Sequence, residues 1–198
     1  MSRLTVDLFD FTWPELATLT PHLHYAAQRL GQELAALRFR HPLAAPGMRA
    51  RDPTLQQWAG LLQDRRYFAG LAHALEQVVD GQSRLLFLPD GAPPVIELSD
   101  LLAGPGHALA TFLQRELHRA RLAVRYVGSQ PFDPATQADL LRTLALEIRF
   151  FSAILNRLER IEGPTPPQPA SPPDQRVHLM FFSLPKALVS RRNTPGHN

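Results

Sequence analysis

Carboxylates and histidines on helical stretches are the residues of this chain best suited to chemistry. Glu33, His73, Glu76, Glu116, His118 and Glu147 are spread over four stretches of helical periodicity. Such groups can hold a pair of metal ions inside a bundle when two helices each supply a Glu-x-x-His pair and the other two supply a glutamate. Here His73-Ala-Leu-Glu76 has the spacing in reverse order. Glu116 and His118 stand two apart, so they point to different faces of a helix. The pattern is inverted on one helix and fails on another, and the six residues read as exposed salt-bridging groups. His22 and His24 are also two apart and cannot chelate from one helical face. No metal centre and no cofactor is expected.

Nucleophilic catalysis needs a serine with a base and an orienting acid. There is no Gly-x-Ser-x-Gly, and most serines fall in loop or tail segments. Gly104-Pro105-Gly106 and Pro46-Gly47 are poor phosphate cradles, because proline has no amide to offer and the spacing matches neither phosphate motif. No catalytic residue is assigned, and a non-enzymatic protein is expected.

Arginine is the other chemically telling residue. Lys186 is the only lysine, against 20 arginines. The formal charge is only +3, so the distribution matters more than the sum. Arg121 and Arg125 share a helical face with His118, flanked by Arg115 and Arg119, and Arg142 and Arg149 lie seven apart on the next helix. Arg121, Arg125, Arg142 and Arg149 are the candidate nucleic-acid contacts. Glu116, Asp133, Asp139, Glu147 and Glu159 interrupt that basic region, which favours a salt-bridged face over a phosphate-binding stripe.

The positioning elements follow from periodicity. At 198 residues the length suits one domain with a tail. Without cysteine, disulfides and thiolate-ligated metals are excluded. No secretory signal and no spanning apolar run is read, so a cytoplasmic location without integral membrane association is expected. Residues 1–11 alternate as a short strand or extended arm would. Thr12-Trp13-Pro14-Glu15 is a capping box, and the helix it opens reaches Arg40, with a kink or restart expected at Thr20-Pro21. A second helix should start at Asp52-Pro53 and close at Asp80-Gly81, with Leu62 in its apolar stripe.

Residues 83–98 read as a β-hairpin, with Leu85–Leu88 and Val95–Leu98 joined through Pro89-Asp90-Gly91. A turn of helix at Ser99–Leu102 comes next. A third helix spans roughly 107–127, and Asp133-Pro134 caps a fourth that ends before Gly163.

The expected architecture is mainly α: an antiparallel four-helix bundle over residues 1–163, with the hairpin between its second and third helices. Residues 164–175 hold six prolines in twelve positions and read as an extended linker. Residues 176–198 form an apolar, then basic, arm. In that arm Val177, Leu179, Met180, Phe181, Phe182 and Leu184 would leave both faces of a strand apolar. Such a segment should pair with the hairpin of its own chain or of a second copy. The function expected from the sequence is that of a self-associating scaffold or adaptor, a dimer contacting another protein through its helices and arm. Binding of a nucleic acid is the alternative.

Overall fold

Two residues set the start of the first helix. The Thr12 amide donates to Glu15 Oε2 at 2.8 Å, and the Leu16 amide donates to the Thr12 carbonyl at 3.1 Å. This half of a capping box satisfies donors that a helix N-terminus leaves open. In the computed structural model, which describes residues 3–40, 53–84, 94–102 and 108–162, the helix that follows is α1, Trp13–Arg40. The other elements are β1 (Thr5–Asp7), α2 (Pro53–Arg84), β2 (Val95–Glu97), a 3₁₀ turn (Ser99–Leu102), α3 (Ala108–Ser129) and α4 (Pro134–Glu162). The chain is mainly α, as its periodicity requires.

Pro21 does not interrupt α1. It is exposed, and so is Ala17, whose carbonyl would have accepted the missing amide. Water can serve that carbonyl. Thr18 and Thr20 donate their hydroxyls to the Pro14 and Leu16 carbonyls at 2.7 and 3.0 Å, which ties down the same turns. Nor does Asp80-Gly81 close α2, which continues to Arg84. A glycine permits the left-handed stop conformation without imposing it.

The Asp133 cap forms as expected: its carboxylate accepts from the Thr136 amide at 3.0 Å. The Asp52 cap and the turn Pro89-Asp90-Gly91 lie outside the described residues. So do the linker and the whole C-terminal arm, including Val177, Leu179, Met180, Phe181, Phe182 and Leu184.

The strand expected at Val95 is present and pairs with the N-terminal segment; its expected hairpin partner, Leu85–Leu88, lies outside the described residues. β1 and β2 pair antiparallel with Val6 opposite Ile96. Leu8 N–H to Pro94 C=O (2.7 Å) and Leu98 N–H to Leu4 C=O (2.8 Å) extend the ladder at both ends. Leu4, Val6, Leu8, Ile96 and Leu98 are buried, so both strands turn one apolar face to the helices. That matched alternation specifies the register. Two strands alone are marginal in water; here the sheet rests on α2 and α4.

Two arginines of α4 hold the N-terminal strand in place. Arg157 Nε donates to the Thr5 carbonyl at 3.2 Å. Arg149 pairs with Glu15 at 3.0 Å, donates to the Asp10 carbonyl, and lies over the Phe11 ring at 4.6 Å from its centroid. The Thr12 amide and Arg149 together hold the Glu15 carboxyl below its ordinary pKa.

α1 packs chiefly on α2, and α3 on α4, giving two helical hairpins. Their directions follow from pairs of cross-contacts: His24 meets Glu76 and Gly31 lies by Arg65; Asp64 meets Arg115 and Phe68 meets Phe112; Gln137 meets Val127 while Phe112 and Phe151 share Phe68. Sequential helices are therefore antiparallel, and α4 closes the bundle against α1. An aromatic chain joins the hairpins: Phe11 to Phe150 at 6.3 Å, Phe151 to Phe68 at 6.4 Å, Phe68 to Phe112 at 5.0 Å. No described helix is long and apolar enough to cross a membrane.

Candidate functional site

Part of the bundle core is charged. Asp64 on α2 and Glu116 on α3 are the buried charged residues among those described, at 8% and 4% exposure. Each occupies a core position of its helix. On α2 the buried positions run Leu61, Asp64, Phe68, Leu71, Leu75; on α3 they run Leu109, Leu113, Glu116, Ala120, Val127. The steps of three and four place Asp64 and Glu116 on the inward face.

Arginines compensate them. Arg115 donates to Asp64 at 2.5 Å and stands 3.7 Å from Glu116 Oε1, while Arg119 donates to Glu116 Oε2 at 2.7 Å. On α1, Arg29 pairs with Glu33 at 3.4 Å. Arg29 also faces a cavity between the hairpins, lined on the polar side by His22, Glu116, Arg119, Thr143 and Glu147. The apolar side includes Leu23, Phe68, Leu144 and Phe151. The cavity offers about 70 Å³ to the centres of water molecules, room for several waters or a few carbon atoms.

Glu147 is the unmatched group. It stands on the inward stripe of α4 between Leu144 and Phe151 and keeps part of its surface open, as a residue lining a cavity should. No hydrogen bond or ion pair reaches it among the described residues. Burial, and then the nearby charge of Glu116, push its carboxyl up to about 7, against the pull of Arg119. Glu116 is also raised: burial outweighs the attraction of Arg119 and Arg115. Four carboxylates (Glu33, Asp64, Glu116, Glu147) thus face three guanidiniums (Arg29, Arg115, Arg119). With Glu147 protonated the cluster is neutral.

Of the six acid and imidazole residues considered for metal binding, only Glu116 and Glu147 converge. Glu33 stays with Arg29. His73 and Glu76 lie on an exposed face, where His24 reaches Glu76 at 3.6 Å. His118 is exposed. Among the described residues no three His, Asp or Glu side chains gather as a metal site would require. Of the nucleic-acid candidates, Arg121, Arg125 and Arg142 are exposed on helix faces, while Arg149 is engaged with Glu15 and Asp10. Arg115 and Arg119 turn inward to Asp64 and Glu116, which removes them from that basic face.

Sequence reasoning did not single out Asp64 or Arg29, and it took Glu147 for a surface group. The available signal was a charge at a position where the three–four spacing demands an apolar side chain. No family model, curated protein or solved structure matches the chain, so its function must be argued from this geometry.

Proposed function

We propose that this chain is a non-catalytic binding protein that holds a small ligand in the cavity between its helical hairpins. One observation carries the reading: Glu147 faces a mostly apolar cavity with no protein partner among the described residues, beside a cluster in which the other carboxylates are paired. A purely structural network would be expected to satisfy every member, because an unmet buried group costs roughly 1–3 kcal/mol. Concave, mainly apolar sites with a few convergent polar groups are the usual form of a small-molecule site.

The test is a fragment screen by NMR on the full chain and on Ala123→Leu, whose side chain enters the cavity from α3. Fragments that shift Leu144 and Phe151 resonances are expected to bind the wild type and to lose at least tenfold in affinity for A123L. Equal binding by the two proteins would place the site elsewhere.

A second reading, self-association as a scaffold or adaptor, is supported by the outer face of the sheet. Val95 on β2 and Phe9 just beyond β1 are 42% and 70% exposed there. They offer an apolar surface of the kind that marks contact sites when contiguous. The apolar arm from Val177 to Leu184, on its proline-rich tether, suits such a surface in the same or a second copy. Deleting residues 164–198 is expected to convert a dimer to a monomer in light scattering. A full-length monomer, or a dimer that survives the deletion, would sink this reading.

A further inference from the structure

Two acceptors at the cavity lack donors. Glu116 Oε1 is buried without a hydrogen bond. Arg115 Nε stands 3.7 Å away, beyond hydrogen-bond reach, and Arg115 is anchored by Asp64. Glu147 is the other. A neutral hydrocarbon would leave both unmet. An anion would meet two carboxylates, while the guanidiniums at the cavity already serve acids: Arg119 with Glu116, Arg29 with Glu33. A positively charged donor fits both acceptors and cancels the one carboxylate in excess.

Resting on the reading of the cavity as a ligand site, we propose that its ligand is a small primary alkylammonium ion. The ammonium group lies between Glu147 and Glu116, and the alkyl group lies against Leu23, Phe68, Leu144 and Phe151. An ammonium has three donors for the two carboxylates and for Thr143 at the same cavity. The Phe68 and Phe151 rings add a surface on which a cation is favoured. Size selects a short chain: the cavity of about 70 Å³ is roughly half the engineered cavity of about 150 Å³ that takes benzene.

Binding is coupled to proton release. Glu147, protonated in the empty cavity on the acid side of neutrality, gives its proton to solvent when the cation enters. The groups facing it are His22 and Arg29 from α1, Glu116 and Arg119 from α3, and Phe68 from α2, while Asp64 of α2 acts on Glu116. Of these, His22 also exchanges protons in the physiological range as a residue type. His22→Gln therefore serves as the background for the pH measurement.

Titration calorimetry on the full chain with propylammonium, n-propanol and propionate tests the assignment. Propylammonium is expected to bind at least tenfold more tightly than n-propanol at pH 8, and propionate not at all. In the H22Q background the affinity for propylammonium should rise about tenfold from pH 6 to pH 8, as the ionised fraction of Glu147 grows. Glu147→Gln should abolish the preference for the cation while n-propanol still binds. Equal binding of n-propanol and propylammonium would overturn the ammonium assignment and leave the cavity reading intact. So would a preference for propionate. Heat from none of the three also overturns the assignment, and the A123L fragment comparison then decides the wider reading separately.

Discussion

Replacing Arg119 with methionine is expected to destabilise the bundle by about 3–5 kcal/mol at pH 8, because it strands a buried carboxylate. Arg119 donates to Glu116 at 2.7 Å, and Glu116 is 4% exposed. Arg115 cannot take over without releasing Asp64, to which it is bound at 2.5 Å. Methionine keeps most of the packing of the arginine stem, so the loss reports the charge rather than volume. Glu116 has one escape. Its carboxyl is already raised by burial, so losing Arg119 raises it further and the group takes up a proton. The penalty should therefore shrink as pH falls from 8 to 5. The double variant Glu116→Leu/Arg119→Met should recover most of the loss, since replacing both members of a buried pair by apolar groups is often near neutral. Urea unfolding of the four proteins of the cycle measures this. A double variant whose loss equals the sum of the two single losses would show that Glu116 and Arg119 are not coupled.

That network also marks where sequence reasoning worked and where it stopped. The four helices were legible because their apolar stripes recur at three and four, as in Leu16, Leu19, Leu23, Ala26 and Leu30, all buried. The caps at Thr12 and Asp133 were legible from residue types alone. On α2 the stripe was misread through Leu62, which is 41% exposed, while its neighbours Leu61 and Asp64 are buried. The reason is physical. A charge was assigned to the surface by type, and the stripe was bent around it, although the spacing from Leu61 through Asp64 to Phe68 is regular.

The same bias removed Glu116 and Glu147 from the inward faces of α3 and α4. The cost of burying a charge makes such positions rare, and only the partners Arg115 and Arg119, one residue before and three after, hinted that Glu116 was compensated. The pairing of Thr5–Asp7 with Val95–Glu97 was not legible for a different reason. Val95 was given a local partner because a Pro-Asp-Gly turn is a local signal. Among the described residues its partner is Thr5–Asp7, about ninety residues away, and pairing at that distance leaves no periodic trace.

The pH dependence of stability isolates Glu147. Its carboxyl lies at about 7 in the folded chain against an ordinary value of 4.5, so between those values the folded state holds a proton that the unfolded state has lost. Stability from this group is fully present below about pH 4.5 and is lost as pH rises through 7. A shift of this size corresponds to at most about 3 kcal/mol, and screening at a half-buried group brings the expectation to about 1–3 kcal/mol. Glu116 carries the same sign and remains in every variant that keeps it. The difference between wild type and Glu147→Gln therefore reads Glu147 together with its coupling to Glu116. In unfolding curves at intervals between pH 4.5 and 8, E147Q should gain on the wild type as pH rises, with the gain levelling off above pH 7. Parallel curves would mean that Glu147 is no more costly to ionise in the fold than in the open chain. A rise in wild-type stability on adding an alkylammonium at pH 8, absent in E147Q, would tie the same carboxylate to the cation. The two proteins then differ by the charge that the cavity leaves uncompensated.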